Sequence, residues 1–203
     1  MTLLLAMFSF SLVMSITPGP VNTIILSSGI NYGVKKTIPY VSGATIGFTL
    51  LLLLIGFGFS KFINAYPFFL TYLAIVGSLY IIYMGYKIAS SKPELEVSKK
   101  DAPKFYEGLL LQWINPKAWI ACVSGASIFS SAQSHDQFLT FTIIYFIVCY
   151  VSLGVWAILG DQVSYLLKDH FRLRLFNFIM GLLLMITAGY LCYGQFVRYA
   201  NHG

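Results

Sequence analysis

Charged residues are scarce in this 203-residue chain: only 10% are Asp, Glu, Lys or Arg, whereas 58% are hydrophobic and 17% aromatic. A soluble domain carries about 25% charged residues, so this chain lacks the charge to cover a surface that faces water. Its apolar content also excludes a disordered chain. With only three cysteines, it cannot be a small secreted module held together by several disulfides. The composition therefore indicates a membrane protein with several spans.

Six apolar runs are each long enough to cross a hydrocarbon core of about 30 Å, which takes roughly 20 helical residues. They do not alternate apolar and polar residues as transmembrane strands do, so helices are predicted. The first run lacks the basic start and the cleavage site of a signal peptide, so we expect it to be retained. The predicted spans are Leu3–Ser28, Ile38–Ser60, Phe68–Ala89, Gly108–Ser131, Phe138–Gly160 and Phe176–Phe196.

Lys and Arg are distributed unequally between the loops that these spans define. Ten of the 13 lie in or beside the loops after spans one, three and five, whereas Lys61 and Arg198 lie on the other side and Lys117 is inside a span. Cytoplasmic loops carry an excess of Lys and Arg. We therefore expect the loops after spans one, three and five to be cytoplasmic and both termini to lie outside.

The predicted fold class is an all-α membrane protein with six transmembrane helices, formed by one domain over residues 1–203. A charged linker at about 90–104 separates a first half, at about 1–89, from a second half, at about 105–203. Each half has three spans, so the second half must enter the membrane in the opposite orientation. We therefore expect two inverted three-helix repeats, which is the plan of many secondary transporters.

Prolines interrupt the interior of only two spans, the first and the fourth, at Pro18, Pro20 and Pro116. In secondary transporters, such interruptions at corresponding positions of the two halves indicate the binding site. Thr17-Pro18 and Asn115-Pro116 each have the pattern of an N-cap followed by proline at the first helical position. Helices one and four are therefore predicted to be broken, each with the positive end of a half-helix available to an anion.

Each of these prolines should also release a backbone carbonyl. Proline has no N–H and clashes with the carbonyl four residues earlier. The carbonyls concerned are those of Met14, Ile16 and Gln112. Because a free carbonyl in hydrocarbon costs several kcal/mol, we expect protein, water or ligand to satisfy them.

Lys117 follows the second interruption. Nine residues from Gly108, at about 1.5 Å each, place it close to the bilayer midplane, where an ionisable group is by default a functional-site hypothesis. An ammonium at a helix start suits the carboxylate of an amino acid, and the amides of Asn22 and Asn115 can hydrogen-bond the same ligand. Two plainer interpretations stay open: simple proline kinks, and an interfacial Lys117 if span four starts near Trp119.

Four segments share their pattern with a known family: Thr17-Pro18-Gly19-Pro20-Val21-Asn22, Gly77-Ser78-Leu79-Tyr80, Asn115-Pro116-Lys117-Ala118 and Gly181-Leu182-Leu183-Leu184. Together they resemble the lysine-exporter superfamily, of the LysE and RhtB (homoserine/threonine resistance) type, over nearly the whole chain. The segment from Leu111 to Trp119 is similar to the branch with cysteine and O-acetylserine exporters. The resemblance implies a bacterial inner-membrane amino-acid exporter, commonly coupled to proton entry, that binds a small-molecule substrate and the lipid bilayer.

The predicted substrate-binding residues are those of the two interruptions and their neighbours: Thr17, Pro18, Gly19, Pro20, Asn22, Gln112, Asn115, Pro116 and Lys117. No Asp, Glu or His lies deep in any predicted span. A buried cationic side chain needs a carboxylate partner, so a small neutral amino acid or derivative is expected. No catalytic residue, cofactor, resident metal or nucleic-acid partner is predicted, and a homodimer stays open.

Three other functions remain as alternatives. A cation or metal efflux protein needs clustered soft or acidic ligands, which three cysteines on three spans provide poorly. A thiol–disulfide electron carrier needs a cysteine in each half, whereas Cys122, Cys149 and Cys192 all lie in the second. A noncatalytic membrane scaffold would tolerate Lys117→Ala. The chain has no phosphate-binding glycine loop and no nucleophile–base pair, so no enzyme is expected.

Overall fold

The computed structural model describes residues 2–59, 68–90, 102–129, 135–165 and 169–202, and over these ranges it is helical without a strand. The predicted all-α class is confirmed. The linker predicted at about 90–104 lies for the most part outside the described residues. The helices are α1 (Thr2–Ile16), α2 (Pro20–Tyr32), α3 (Val34–Leu54), which continues as a π-helical segment (Ile55–Phe59), α4 (Phe68–Ala89), α5 (Phe105–Ile114), α6 (Pro116–Phe129), α7 (Asp136–Ser164) and α8 (His170–His202).

Three described helical segments are long and apolar enough to cross a membrane: Val34–Gly58, Asp136–Ser164 and Phe171–Tyr190. Helices α1 and α2 together make a fourth candidate, with a bend of 60° between them. Helices α5 and α6 have only 10 and 14 residues, so neither is long enough alone. Length and composition thus support three or four spans within the described residues, and the predicted number of six stays a prediction.

Both predicted helix interruptions are present. Helix α1 ends at Ile16 and α2 begins at Pro20, whereas Asn115 alone separates α5 from α6. The first interruption therefore takes three residues and the second takes one. Because a proline cannot continue the hydrogen-bonding of the helix before it, the sequence fixes both positions locally.

Glycines allow α3 and α5 to cross in close contact. A Cβ atom on Gly47 would lie 2.7 Å from the Leu109 carbonyl oxygen, and Cβ atoms on Gly43 and Gly108 would overlap backbone atoms of the opposite helix. A side chain at any of these positions would push the helices apart. Small residues at fixed spacing serve the same purpose in other membrane helix pairs.

Helices α2 and α7 cross in the same way, at Gly29 and Gly160. A Cβ atom on either glycine would lie 3.1 Å from the Cα atom of the other. Gly33 then turns the chain from α2 into α3 with a positive φ of 79°, which glycine adopts without steric cost. Helices α3 and α7 also pack on each other, so they form the centre of the bundle, with α1, α2 and α5 around them.

The outer faces of the bundle are apolar. Leu5, Leu79, Ile143 and Ile186 are each more than half exposed. Large contiguous apolar surfaces are rare on soluble monomers. Lipid is the solvent that this surface fits.

Candidate functional site

A small cavity lies between the two helix interruptions. Its volume is about 30 Å³, which is room for about two water molecules. Residues of α1, α2, α3, α5, α6 and α7 line it, and so does Gly19, which lies between α1 and α2. The lining residues are Met14, Ser15, Gly19, Pro20, Val21, Asn22, Phe48, Gln112, Asn115, Lys117, Ala118, Ala121, Tyr145, Cys149 and Leu153.

Most of the residues predicted for the site come together here. The six that line the cavity are Gly19, Pro20, Asn22, Gln112, Asn115 and Lys117. Thr17 and Pro18 are exposed on the side of the first interruption and meet the site through their carbonyl oxygens. Pro116 is buried at the start of α6 without lining the cavity. The geometry thus joins two segments that are about a hundred residues apart in sequence.

The Lys117 side chain connects the two interruptions. Its ammonium donates to the carbonyl oxygen of Thr17 at 2.6 Å and to that of Pro18 at 3.4 Å. The side chain runs past Gly19, where a Cβ atom would lie 3.1 Å from Lys117 Cδ. The ammonium is therefore directed at the first interruption, while the backbone of Lys117 belongs to the second.

Distant side chains satisfy the carbonyls at the end of α1. Asn22 Nδ2 donates to the Ser15 carbonyl at 2.9 Å, and Trp156 Nε1 donates to the Ile16 carbonyl at 3.2 Å. The Ile16 carbonyl is one of those that the prolines were predicted to release. Helix α7 provides Trp156, so the end of α1 depends on tertiary contacts.

The predicted N-cap role of Thr17 is wrong. Its hydroxyl donates to the Val13 carbonyl, so Thr17 completes the last turn of α1. Gly19 is the N-cap residue of α2, without a side-chain hydrogen bond, and Pro20 is the first helical residue. The physical reason is the second proline, because the residue before a proline avoids the helical region, and Gly19 is extended at φ −168°, ψ −179°.

The second interruption has the predicted cap. The Asn115 side-chain oxygen accepts a hydrogen bond from the Lys117 backbone N–H at 3.2 Å, and Pro116 opens α6. The Gln112 carbonyl, expected to be released by Pro116, accepts a long bond of 3.4 Å from the Asn115 N–H. This interruption is therefore closed by its own residues.

Sequence reasoning missed the contribution of α3 and α7 to the cavity. Tyr145, Cys149 and Leu153 are four residues apart on α7 and so share one helix face. That spacing was the available signal, but α7 is apolar on all sides and the pattern does not distinguish its faces. Phe48 of α3 stacks on Tyr145 with a centroid distance of 4.3 Å.

A cluster of aromatic rings packs beside the cavity. Phe141 meets Tyr145 edge to face at 5.7 Å, and Phe10 contacts Phe129, Phe141 and Tyr145 at 5.7 to 6.4 Å. These residues come from α1, α6 and α7. We call Phe10, Phe48, Phe129, Phe141 and Tyr145 the aromatic plug.

Among the described residues, no group of three or more His, Cys, Asp or Glu side chains is placed to hold a metal ion. The residues that line the cavity include one cation, Lys117, and no carboxylate. The chemistry of the described site is therefore that of amides, carbonyl oxygens, hydroxyls, a thiol and one ammonium.

The chain matches the family described as "LysE type translocator" over residues 12–195. The cysteine/O-acetylserine efflux protein of Klebsiella pneumoniae is 25% identical over 191 residues, covering 92% of this chain and 95% of that protein. The protein of the same name from Escherichia coli K12 is 27% identical over 190 residues, with 92% and 96% coverage. No solved structure matches the chain. Since the family match extends over nearly all its residues, the chain belongs to the LysE family of translocators.

Proposed function

We propose that this protein is a secondary-active exporter that moves small neutral amino acids or close derivatives out across the bacterial inner membrane. Membership of a translocator family supports export, and the relatives above are named for cysteine and O-acetylserine efflux. The observation that carries the proposal is the hydrogen bond from the Lys117 ammonium to the exposed Thr17 carbonyl, made by a lysine that lines the cavity between the two helix interruptions.

The groups that form this hydrogen bond can bind both the carboxylate and the ammonium of an amino acid. A hydrogen bond between ammonium and carboxylate is roughly twice as strong as one between neutral groups. The substrate carboxylate therefore displaces the carbonyls of Thr17 and Pro18 from the Lys117 ammonium. The two carbonyls that are released accept hydrogen bonds from the ammonium of the substrate, so the zwitterion replaces a contact that the empty protein makes with itself.

The cavity also supports a neutral side chain in the substrate. Within the described residues, its lining provides no carboxylate to pair with the side chain of lysine or arginine. A buried cation without a partner is strongly destabilised. Cysteine, serine, homoserine and their derivatives place no second charge in the site.

The size of the cavity supports alternating access. A space of about 30 Å³ is too small for an amino acid, so the helices around it must move apart before substrate enters. We propose that the halves at about 1–89 and 105–203 are inverted repeats that rock against each other. The crossings of α3 with α5 and of α2 with α7 each join the two halves through glycines, so helices can slide there without interlocked side chains.

The proposed orientation places both termini in the periplasm and makes the aromatic plug the periplasmic closure. Proton entry is the proposed driving force. The titratable residues that line the cavity are Lys117, Tyr145 and Cys149. Of these, Lys117 is the one that directly contacts both the first interruption and the proposed substrate carboxylate, so we expect coupling to run through it.

The test is export from proteoliposomes loaded with a panel of amino acids. Wild-type protein is expected to release cysteine, O-acetylserine, homoserine or threonine in preference to lysine and arginine. Lys117→Ala should lower this release at least about tenfold, since it removes a charge-assisted hydrogen bond of about 1.5–3 kcal/mol. Lys35→Ala, an exposed lysine at the start of α3, is the matched control and should transport normally.

Two results would contradict the proposal. Near-normal release by a fully inserted Lys117→Ala protein would contradict the proposed binding site. A preference for lysine or arginine would contradict the proposed substrate class. Release of Zn²⁺ or Cd²⁺ in place of amino acids would support the alternative of a cation or metal efflux protein.

A further inference from the structure

A hydroxyl group in the wall of the cavity has no partner. Ser15 of α1 is 6% exposed, lines the cavity, and its Oγ atom makes no hydrogen bond. The thiol of Cys149 and the hydroxyl of Tyr145, which also line the cavity, lie near it but outside hydrogen-bonding geometry. Buried hydroxyls almost always have a hydrogen-bond partner, so an orphan at this position calls for an explanation.

Several other hydroxyls in the described helices bond to the carbonyl four residues earlier. Ser11, one turn before Ser15, donates to the Met7 carbonyl at 2.7 Å, and Thr142 donates to the Phe138 carbonyl at 2.9 Å. This partner is available to almost any serine or threonine in a helix. Ser15 does not take it, and its Oγ atom is buried without a partner in the wall of the cavity.

We propose that Ser15, Tyr145 and Cys149 form a side-chain subsite that selects substrates whose short side chain carries a hydroxyl, a thiol or an ester oxygen able to hydrogen-bond. The inference rests on the proposed function and deepens it. Lys117 and the carbonyls of the first interruption hold the backbone groups of the amino acid, and the subsite binds the atom at the end of its side chain. The ring of Phe48, stacked on Tyr145, limits the length that fits.

Selectivity follows from the cost of an unpaired polar group. A substrate hydroxyl or thiol completes the hydrogen bonding of Ser15, whereas a methyl group of the same size leaves it buried without a partner. Sites built to hydrogen-bond a substrate group reject the analogue that lacks it for this reason. L-2-Aminobutyrate, which has a methyl group where L-serine has a hydroxyl and L-cysteine a thiol, is therefore the informative probe.

The experiment is counterflow in proteoliposomes with L-serine, L-cysteine and L-2-aminobutyrate. Wild-type protein should prefer L-serine and L-cysteine over L-2-aminobutyrate by about fivefold or more, and Ser15→Ala should reduce that preference to near one. Ser11→Ala is the matched control, because it removes a buried serine hydroxyl from the same helix that does not line the cavity. It should keep the wild-type preference.

A second control comes from Thr45, whose buried hydroxyl is also unpartnered and lies beside Cys149 but does not line the cavity. Thr45→Val should also keep the preference. If Ser15→Ala does not assemble, Ser15→Gly provides the same comparison. The subsite is overturned if the Ser15 variants keep the wild-type preference, or if Ser11→Ala or Thr45→Val loses it equally. Wild-type protein that moves none of the panel of amino acids overturns the proposed function itself.

Discussion

The two helix interruptions differ in what holds them. The second is a single residue, Asn115, whose side chain caps the helix that follows. The first takes three residues, bends the chain by 60° and has no side-chain cap of its own. Its carbonyls are bonded by Asn22, Trp156 and Lys117. An interruption that is capped by its own residue keeps its conformation when other helices move. An interruption held by side chains from other parts of the chain can change its conformation when those side chains move.

Lys117 links the two interruptions. It belongs to the second interruption through its backbone N–H and to the first through its ammonium. A ligand that takes the ammonium therefore releases the first interruption and leaves the cap of the second intact. On the proposed mechanism, binding of substrate is thus detected at the first interruption.

The largest expected effect comes from glycines that touch the two interruptions. A Cβ atom on Gly77 of α4 would overlap the Ile114 carbonyl oxygen and lie 3.3 Å from Pro116 Cδ. Backbone and proline ring cannot give way, so Gly77→Ala should lower the free energy of unfolding by about 2 kcal/mol or more. Gly19→Ala meets only the Lys117 side chain, which is flexible. It should change stability by less than about 1 kcal/mol, while export falls because the ammonium is displaced.

The measurement is an SDS titration of each purified variant, together with export from proteoliposomes. We expect the two variants to differ. Gly77→Ala should lose mainly stability, whereas Gly19→Ala should lose export and keep its stability. Equal loss of stability in the two variants would mean that the interruptions are held in the same way.

The sequence predicts the interruptions well because proline acts locally. Pro18, Pro20 and Pro116 each remove an N–H donor whatever surrounds them, and an asparagine before a proline is a strong start signal. The predicted helix start at Pro18 is wrong because it leaves out the effect of the second proline, which keeps Gly19 before it out of the helical region. Pro20 begins α2, and the carbonyls of the residues before it are bonded by Lys117, a hundred residues away in sequence.

The missed part of the site has a different cause. Helix α7 is apolar around its whole circumference, so polarity does not indicate which face lies inward. Tyr145 and Cys149 line the cavity because α3 and α7 cross at the centre of the bundle. The unpaired hydroxyl of Ser15 could not be predicted either, because a sequence does not show whether a serine donates to a carbonyl of its own helix.

The next effect compares the two asparagines. Asn22 is 5% exposed and donates to the Ser15 carbonyl. Asn22→Ala leaves that buried carbonyl without a partner and should cost about 1–3 kcal/mol. Asn115→Ala removes a cap, which typically costs about 1 kcal/mol.

Substitution by serine separates the two roles further. Asn115→Ser keeps a capping oxygen and should recover most of the stability lost in Asn115→Ala. Asn22→Ser is too short to reach the carbonyl seven residues earlier, so it should behave like Asn22→Ala. An SDS titration of the four variants measures this, and recovery in both pairs would contradict the distinction between a local and a distant partner.

The smallest expected loss of stability is at Trp156. Its indole group is compared with that of Trp119, since one indole donates a hydrogen bond near each interruption. Trp156 Nε1 donates to the Ile16 carbonyl at 3.2 Å at the first, and Trp119 Nε1 donates to the Trp113 carbonyl at 2.7 Å near the second. Phenylalanine keeps an aromatic ring but not the donor. Because the bond of Trp156 is exposed and long, Trp156→Phe should cost about 0.5 kcal/mol of the free energy of unfolding.

Trp119→Phe should cost more, about 1–2 kcal/mol, because Trp119 is only 4% exposed and its bond to the Trp113 carbonyl is partly buried, so solvent replaces the lost donor less readily. The same SDS titration compares the two variants, and export distinguishes them a second time. Trp156→Phe loosens the interruption that we expect to move, so it should alter the export rate more than Trp119→Phe does, although it costs less stability. If the variant that loses more stability also loses more export, the first interruption is not the mobile one. The two interruptions would then differ in geometry alone.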